Sequence, residues 1–157
     1  MSDTPAALAE KLKAEGHKIS AFFSALSPDQ WAKVVYDEQA VWSARSILAH
    51  LVSAERGFLE IFTAIRDGGP GASDDFDIDL FNASQQAKLA DAGPADLLEN
   101  YQAARAAMVA FVASLTVDDL QKRGRHPALG VTSLAEMLKM VHLHNSLHLR
   151  DLKKALA

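Results

Sequence analysis

The chain contains no cysteine, which excludes a disulfide, a thiolate metal site and a cysteine nucleophile together. Any metal must then be held by nitrogen or oxygen. β-Branched residues are scarce beside Ala and Leu, a balance that favours helix over sheet. No apolar run reaches the roughly 20 residues that cross a bilayer, and the start, Met1 to Thr4, lacks the basic and apolar segments of a secretory signal. The expected location is the cytoplasm, with no membrane partner. Strong positive charge is also missing. Formal net charge is −4, and the basic residues gather only at Lys122, Arg123 and Arg125, too small a patch to hold a polyanion. Nucleic acid is therefore not an expected partner.

What is present suffices for one core. With 157 residues, 49% of them apolar and 23% charged, the chain reads as a single domain over 1–157. Thr4 and Pro5 signal the start of a first helix whose Leu8, Leu12, Ile19, Phe22, Phe23 and Leu26 form one apolar face. Ser27-Pro28-Asp29-Gln30 marks a second start, predicting a short connector helix that contains Trp31. Ile47, Leu51, Ala54, Phe58, Ile61, Phe62 and Ile65 then repeat at three and four residues, predicting a helix from Ser43 to Asp67 that Gly68-Gly69-Pro70-Gly71 stops.

The stretch 72–81 alternates acidic and apolar residues like a strand, but a lone strand has nothing to pair with, so an ordered loop is expected, with Phe76, Ile78 and Phe81 against the bundle. The glycine and final glutamate of a calcium-binding EF-hand loop are missing there. Asn82 is expected to cap a third helix that pauses at Gly93-Pro94 and runs on to Leu115. After a turn at Thr116 to Asp119, Gln121 to Val131 reads as a polar crossing. Ser133 and Glu136 form a capping box for a last helix that nearly reaches the C-terminus. Helices of matched length, roughly 30 Å each, suit an all-α, up-and-down four-helix bundle with short connector helices.

His144 and His148 lie four apart on the last helix, so both imidazoles reach a common point on one face. Six residues of helix advance about 600°, which turns His142 away from that face. His50 stands at the edge of the second helix's apolar stripe. Three nitrogens from two helices would leave a metal with open positions, as catalytic rather than closed structural sites have. The i to i+4 spacing alone also fits surface histidines, and His50 alone fits a half-buried histidine bonded to a neighbour. His17 and His142 are assigned to solvent or packing. Trp31 and Trp42 are expected to anchor loops and helix ends rather than to line a pocket.

Read together, Trp42-Ser43-Ala44-Arg45-Ser46-Ile47-Leu48-Ala49-His50-Leu51 with Ala54-Glu55-Arg56, His126-Pro127-Ala128-Leu129-Gly130, Thr132-Ser133-Leu134 and His144-Asn145-Ser146-Leu147-His148 resemble the signatures of the DinB-like superfamily. The resemblance covers nearly the whole chain. It implies a DinB-like bundle, commonly dimeric, with a divalent metal such as nickel, zinc or iron on three histidines that carry over to His50, His144 and His148. Relatives of this kind include thiol-dependent transferases and isomerases. Arg150 and Asp151 stand where a Gln often follows the last histidine, so His148 is expected to use a different supporting group.

Such a metal can lower the pKa of water or hold a small thiol as thiolate. The expected function is a divalent-metal-dependent enzyme acting on a small molecule, thiol-dependent transfer standing ahead of hydrolysis, with a low-molecular-weight thiol as the cofactor that transfer would add. Asp151 is a candidate to orient His148, and His126 a candidate acid or base at the metal's mouth. Two other classes stay open: a noncatalytic metal-binding or stress-related bundle, and an interaction bundle that dimerises through Ala-rich and Leu-rich helix surface.

Overall fold

Side-chain caps set where the helices begin in the computed structural model, which describes residues 3–157. The Thr4 hydroxyl accepts from the Ala7 amide at 3.2 Å and opens α1 (Pro5–Ser24). Ser27 and Gln30 cap each other's backbone and open the connector α2 (Pro28–Ala32), whose Trp31 stacks on Phe23 with ring centroids 5.3 Å apart. Ser43 and Ser46 do the same for α3 (Ala44–Arg66). α5 (Pro94–Ala113) starts on its proline, and α6 (Leu134–Ala155) on Ser133, whose hydroxyl accepts from the Glu136 amide at 3.3 Å. The Glu136 side chain turns instead to Lys139 at 2.9 Å, so half of the expected box forms. Each such cap stabilises its helix by about 1 kcal/mol.

Two expectations need correction. The segment read as loop up to Phe81 is helical from Ile78. α4 (Ile78–Lys88) is capped by Asp77, which accepts from the Leu80 amide at 2.9 Å, and Asn82 lies inside it. An acidic side chain five residues upstream won because it could reach the open amides. Strand pairing also occurs. β1 (Val34–Tyr36) pairs antiparallel with β2 (Trp42–Ser43), and β3 (Arg123–His126) with β4 (Gly130–Ser133), the latter replacing most of the expected irregular crossing. Residues 70–72 lie along β3: the Arg125 amide donates to Pro70 O and the Ala72 amide to Arg125 O, each at 2.8 Å. Gly71 permits this approach, since it has φ of 91° and a Cβ there would sit 2.5 Å from Arg125 O.

The main helices α1, α3, α5 and α6 form the expected up-and-down bundle. Among the main helices, α1 and α3 each pack on α5 and α6, so the first and second main helices face each other across the core, and α3 borders α6. The apolar core has two parts. One contains Leu12, Phe62, Met108 and Val141, the other Ile19, Ile47, Leu97 and Leu152. Between them lies a buried polar layer with one member from each main helix: Glu15, Glu55, Arg105 and Asn145. Arg105 holds Glu55 with both Nε (3.1 Å) and Nη2 (2.5 Å), and donates through Nη1 to Glu15 at 3.3 Å and to Leu12 O at 2.9 Å. Asn145 donates to Glu55 at 3.3 Å and accepts from the Tyr101 hydroxyl at 3.2 Å. No described helix is long and apolar enough to cross a membrane.

Candidate metal centre

Adjacency of α3 and α6 brings three histidines together. His50 Nε2 lies 2.9 Å from His144 Nε2, which lies 3.1 Å from His148 Nε2, and ligand atoms of all three fall within 4.8 Å of one another. Four residues of helix give His144 and His148 their common face, and the α3–α6 contact supplies His50 from the other side. Burial, then the neighbouring imidazoles, hold His50 down to about 2 and His144, with His148 as its main charged neighbour, to about 3. Burial lowers His148 too, against the pull of Asp151. All three are therefore neutral at pH 7.

Neutral imidazoles cannot satisfy one another here. The Tyr36 hydroxyl donates to Asp151 Oδ2 at 2.6 Å and stands 3.0 Å from His148 Nδ1. Its one proton is thus committed to Asp151, so it accepts from His148 Nδ1–H, and His148 Nε2 keeps a bare lone pair. His144 can place at most one proton between its two neighbours. The remaining lone pairs face each other in a buried space, which is unfavourable without a cation. Three nitrogens on a tetrahedral ion at about 2.1 Å stand roughly 3.4 Å apart, close to the spacing seen. The donor set therefore fits a divalent metal.

Asp151, expected to orient His148, reaches it only through Tyr36. Burial and the bond to Asp151 push the Tyr36 phenol up, while the same bond, followed by Arg150, lowers Asp151. Tyr36 escaped the sequence reading because it comes from β1, a three-residue strand with no helical period. His142 does turn away from the triad: its Nδ1 is 2.7 Å from Glu15 Oε2, off the line of a hydrogen bond. His17 is exposed.

The triad lies in the wall of a cavity of about 400 Å³ between α3, α4, α6 and the β3–β4 turn. Trp42, read as an anchor, lines it with its ring 4.9 Å from His50. Phe58, Ile61, Phe76 and Phe81 make most of the remaining wall, and Asn82 is the polar neighbour of His50. Arg45 ties the C-terminal end of α4 to α3 by donating to the Leu89 and Ala92 carbonyls, each at 2.5 Å, just past the helix end.

His126 ends β3 and lines the cavity as well. Its ring stacks on Phe58 at 5.2 Å, its Nδ1 accepts from the Ala128 and Leu129 amides at 3.0 and 3.2 Å, and burial holds it down to about 4. A group so hard to protonate is poorly suited to acid–base exchange near neutral pH.

Thiol-dependent transfer, expected from the sequence, is overturned. The chain has no cysteine and so brings no thiol of its own. Among the described residues, no Lys or Arg lines the cavity to hold an acidic small thiol. The three-histidine cluster supports metal binding without that chemistry.

The fold recurs in solved structures. YfiT from Bacillus subtilis, a probable metal-dependent hydrolase with an unusual four-helix bundle topology, has a TM-score of 0.79 at 16% identity over 96% of this chain and 85% of that one. A protein from Escherichia coli UTI89 gives 0.76 at 13% identity over 99% of this chain and 94% of that one. The colibactin self-resistance protein ClbS, solved with a double-stranded DNA, gives 0.74 at 14% identity over 100% and 99%. At such identities the likeness concerns the fold alone. No curated protein matches the chain. The model of one family, the DinB superfamily, matches residues 11–152, and the chain therefore belongs to the DinB superfamily.

Proposed function

We propose that the protein binds one divalent metal ion through His50, His144 and His148 and hydrolyses small, largely apolar molecules at it. The observation that carries this reading is the convergence of three neutral Nε2 atoms in the wall of an apolar cavity. Neutral nitrogen ligands with no carboxylate among them suit zinc, nickel or iron(II) better than magnesium or calcium. A metal held by these three histidines would supply Lewis acidity and would bring the pKa of a water toward 7.

The chain's own groups do the rest. Tyr36 and Asp151 fix His148 as the Nδ1–H tautomer and so aim its Nε2 lone pair. Phe58, Phe76 and Phe81 exclude water from around the reacting group, which strengthens every electrostatic contact there. The absence of cationic lining among the described residues favours neutral substrates over anionic ones.

Elemental analysis of protein purified without chelator is expected to give close to one ion per chain. Saturating zinc or nickel, at about 1000 times its dissociation constant, adds about 4 kcal/mol and raises Tm by roughly 10 °C. Chelation is expected to abolish hydrolysis of phenyl butyrate, and re-addition of metal to restore it. Protein that neither carries metal nor gains stability from it would sink the proposal.

Tyr36→Phe tests the supporting arm. It removes the hydroxyl between His148 and Asp151 while keeping the ring, so metal affinity is expected to fall about 10- to 100-fold with little change in metal-free Tm. Competition against a chromophoric chelator reads this. Unchanged affinity would mean that the phenol does not hold His148.

A further inference from the structure

His126 is built for a narrower task than proton exchange. A ring nitrogen that accepts hydrogen bonds cannot carry a proton, and Nδ1 accepts from two backbone amides. A neutral imidazole has one N–H, so the ring is locked with its hydrogen on Nε2. That nitrogen is buried with no hydrogen-bond partner in the protein. The residue is 2% exposed and stacked against Phe58, so the ring cannot easily turn to find another acceptor.

A buried donor left unpaired is unfavourable, and such groups mark places where a ligand completes the structure. His126 shares its cavity with the triad. The surrounding wall is apolar, its carboxylate, Glu60, belongs to an exposed residue, and no Lys or Arg is among the described lining residues. An anion would find no counter-charge, and a hydrocarbon would leave the N–H unmet. A neutral molecule with one acceptor oxygen and an apolar body satisfies both.

We infer that His126 is a fixed hydrogen-bond donor, through Nε2–H, to the carbonyl oxygen of a neutral ester, lactone or amide whose apolar part lies against Phe58, Phe76 and Phe81. The inference rests on the hydrolytic reading above for its reaction, though not for its binding. The ring donates a hydrogen bond and keeps its proton throughout. It stabilises the oxygen on which negative charge grows, as a preorganised donor does in a low-dielectric site.

Two variants separate this role from support of the turn. His126→Asn keeps an oxygen near the Nδ1 position to accept from Ala128 and Leu129 but loses the donor. His126→Gln places an amide N–H near the Nε2 position and gives up the acceptor. In metal-loaded protein, His126→Asn is expected to lower kcat for phenyl butyrate about 100-fold and to raise KM by no more than about 10-fold, with metal content nearly unchanged. His126→Gln is expected to recover at least about a tenth of the original rate. A purely structural role predicts the reverse order, and that result would overturn the inference.

A second readout does not need the metal. In ¹⁵N-labelled wild-type protein, His126 is expected to show the Nε2–H tautomer, with its signal moving on addition of 4-phenylbutan-2-one, a neutral ketone that cannot be hydrolysed. The shift is expected with or without zinc. Ketone affinity should fall about 10-fold in His126→Asn. A ketone that binds without moving the His126 signal, or no detectable binding, overturns the inference even if metal-dependent hydrolysis is found. A clear shift in protein that binds no metal upholds it while the hydrolytic reading fails.

Discussion

Arg105→Leu is expected to destabilise the metal-free protein by about 3–5 kcal/mol, because it leaves buried carboxylates without their cation. Arg105 is 3% exposed, and its guanidinium is the group that Glu15 and Glu55 share. The variant removes three interactions at once: the two-point hold on Glu55, the bond to Glu15, and the donation to Leu12 O. For a chain of this size the loss corresponds to roughly 6–20 °C in Tm, readable by thermal and urea denaturation. Glu15 gives the pH dependence its sign. Burial is the largest influence on it and raises its pKa above the ordinary 4.5, against the opposing pull of Ser146 and Arg105. A carboxyl with a raised folded pKa stabilises most below its unfolded value and loses that contribution as pH rises through the folded one. Without Arg105 that pKa climbs further. The deficit of the variant is therefore expected to be largest at neutral and alkaline pH and to shrink toward pH 4.5. A deficit below about 1 kcal/mol at pH 7 would show the layer to be solvated rather than buried. Glu15→Leu, Glu55→Leu and Arg105→Leu together should be far less harmful than Arg105→Leu alone, since the liability is an unmatched charge and not the loss of polarity.

Much of this arrangement was legible in the sequence because helical periodicity is a local signal. Thr4, Ser27, Ser43 and Ser133 mark real helix starts, and the spacing of His144 and His148 puts both on one face of α6. His50 was offered by the edge of the α3 apolar stripe and assigned to the site by the family resemblance, while its place beside the other two depends on which helices touch. Periodicity says which face of a helix is buried but nothing about its neighbour, and here α3 packs on α5 and α6 while α1 does the same from the other side. The polar layer was hidden for the same reason. Glu15, Glu55, Arg105 and Asn145 are far apart in sequence and look like ordinary surface residues until four helices place them at one level. Short strands were the other blind spot. β1 and β2 comprise three and two residues, too few for an alternation pattern to stand out, yet they deliver Tyr36 to His148 and Trp42 to His50. The start of α4 was misplaced because Asp77 and Asn82 are both good caps, and the acidic-apolar alternation before Asn82 imitates a strand.

The second large effect concerns His144, the central member of the triad. His144→Leu is expected to weaken metal binding on the order of 1000-fold, roughly the share one ligand takes of a protein–metal binding energy. Zinc should then no longer raise Tm. The metal-free proteins are expected to rank the other way. In the wild type, burial and mutual proximity hold His50 to about 2 and His144 to about 3, whereas unfolded histidines titrate near 6.5. A folded pKa below the unfolded one means that the unfolded chain binds more protons in acid. The associated stability is fully present above pH 6.5 and is lost as pH falls toward the folded values. Each such imidazole contributes up to about 1.4 kcal/mol per pH unit to that decline. Leu at 144 removes one of them and separates the other two from their nearest neighbour. Metal-free His144→Leu is therefore expected to show a shallower acid slope and to be more stable than wild type by about 1–3 kcal/mol at pH 5, while at pH 7 with zinc the wild type is the more stable. Thermal melts across pH, with and without metal, show the crossing directly. If the two proteins keep one order under all conditions, the triad does not trade metal-free stability for a place to hold an ion.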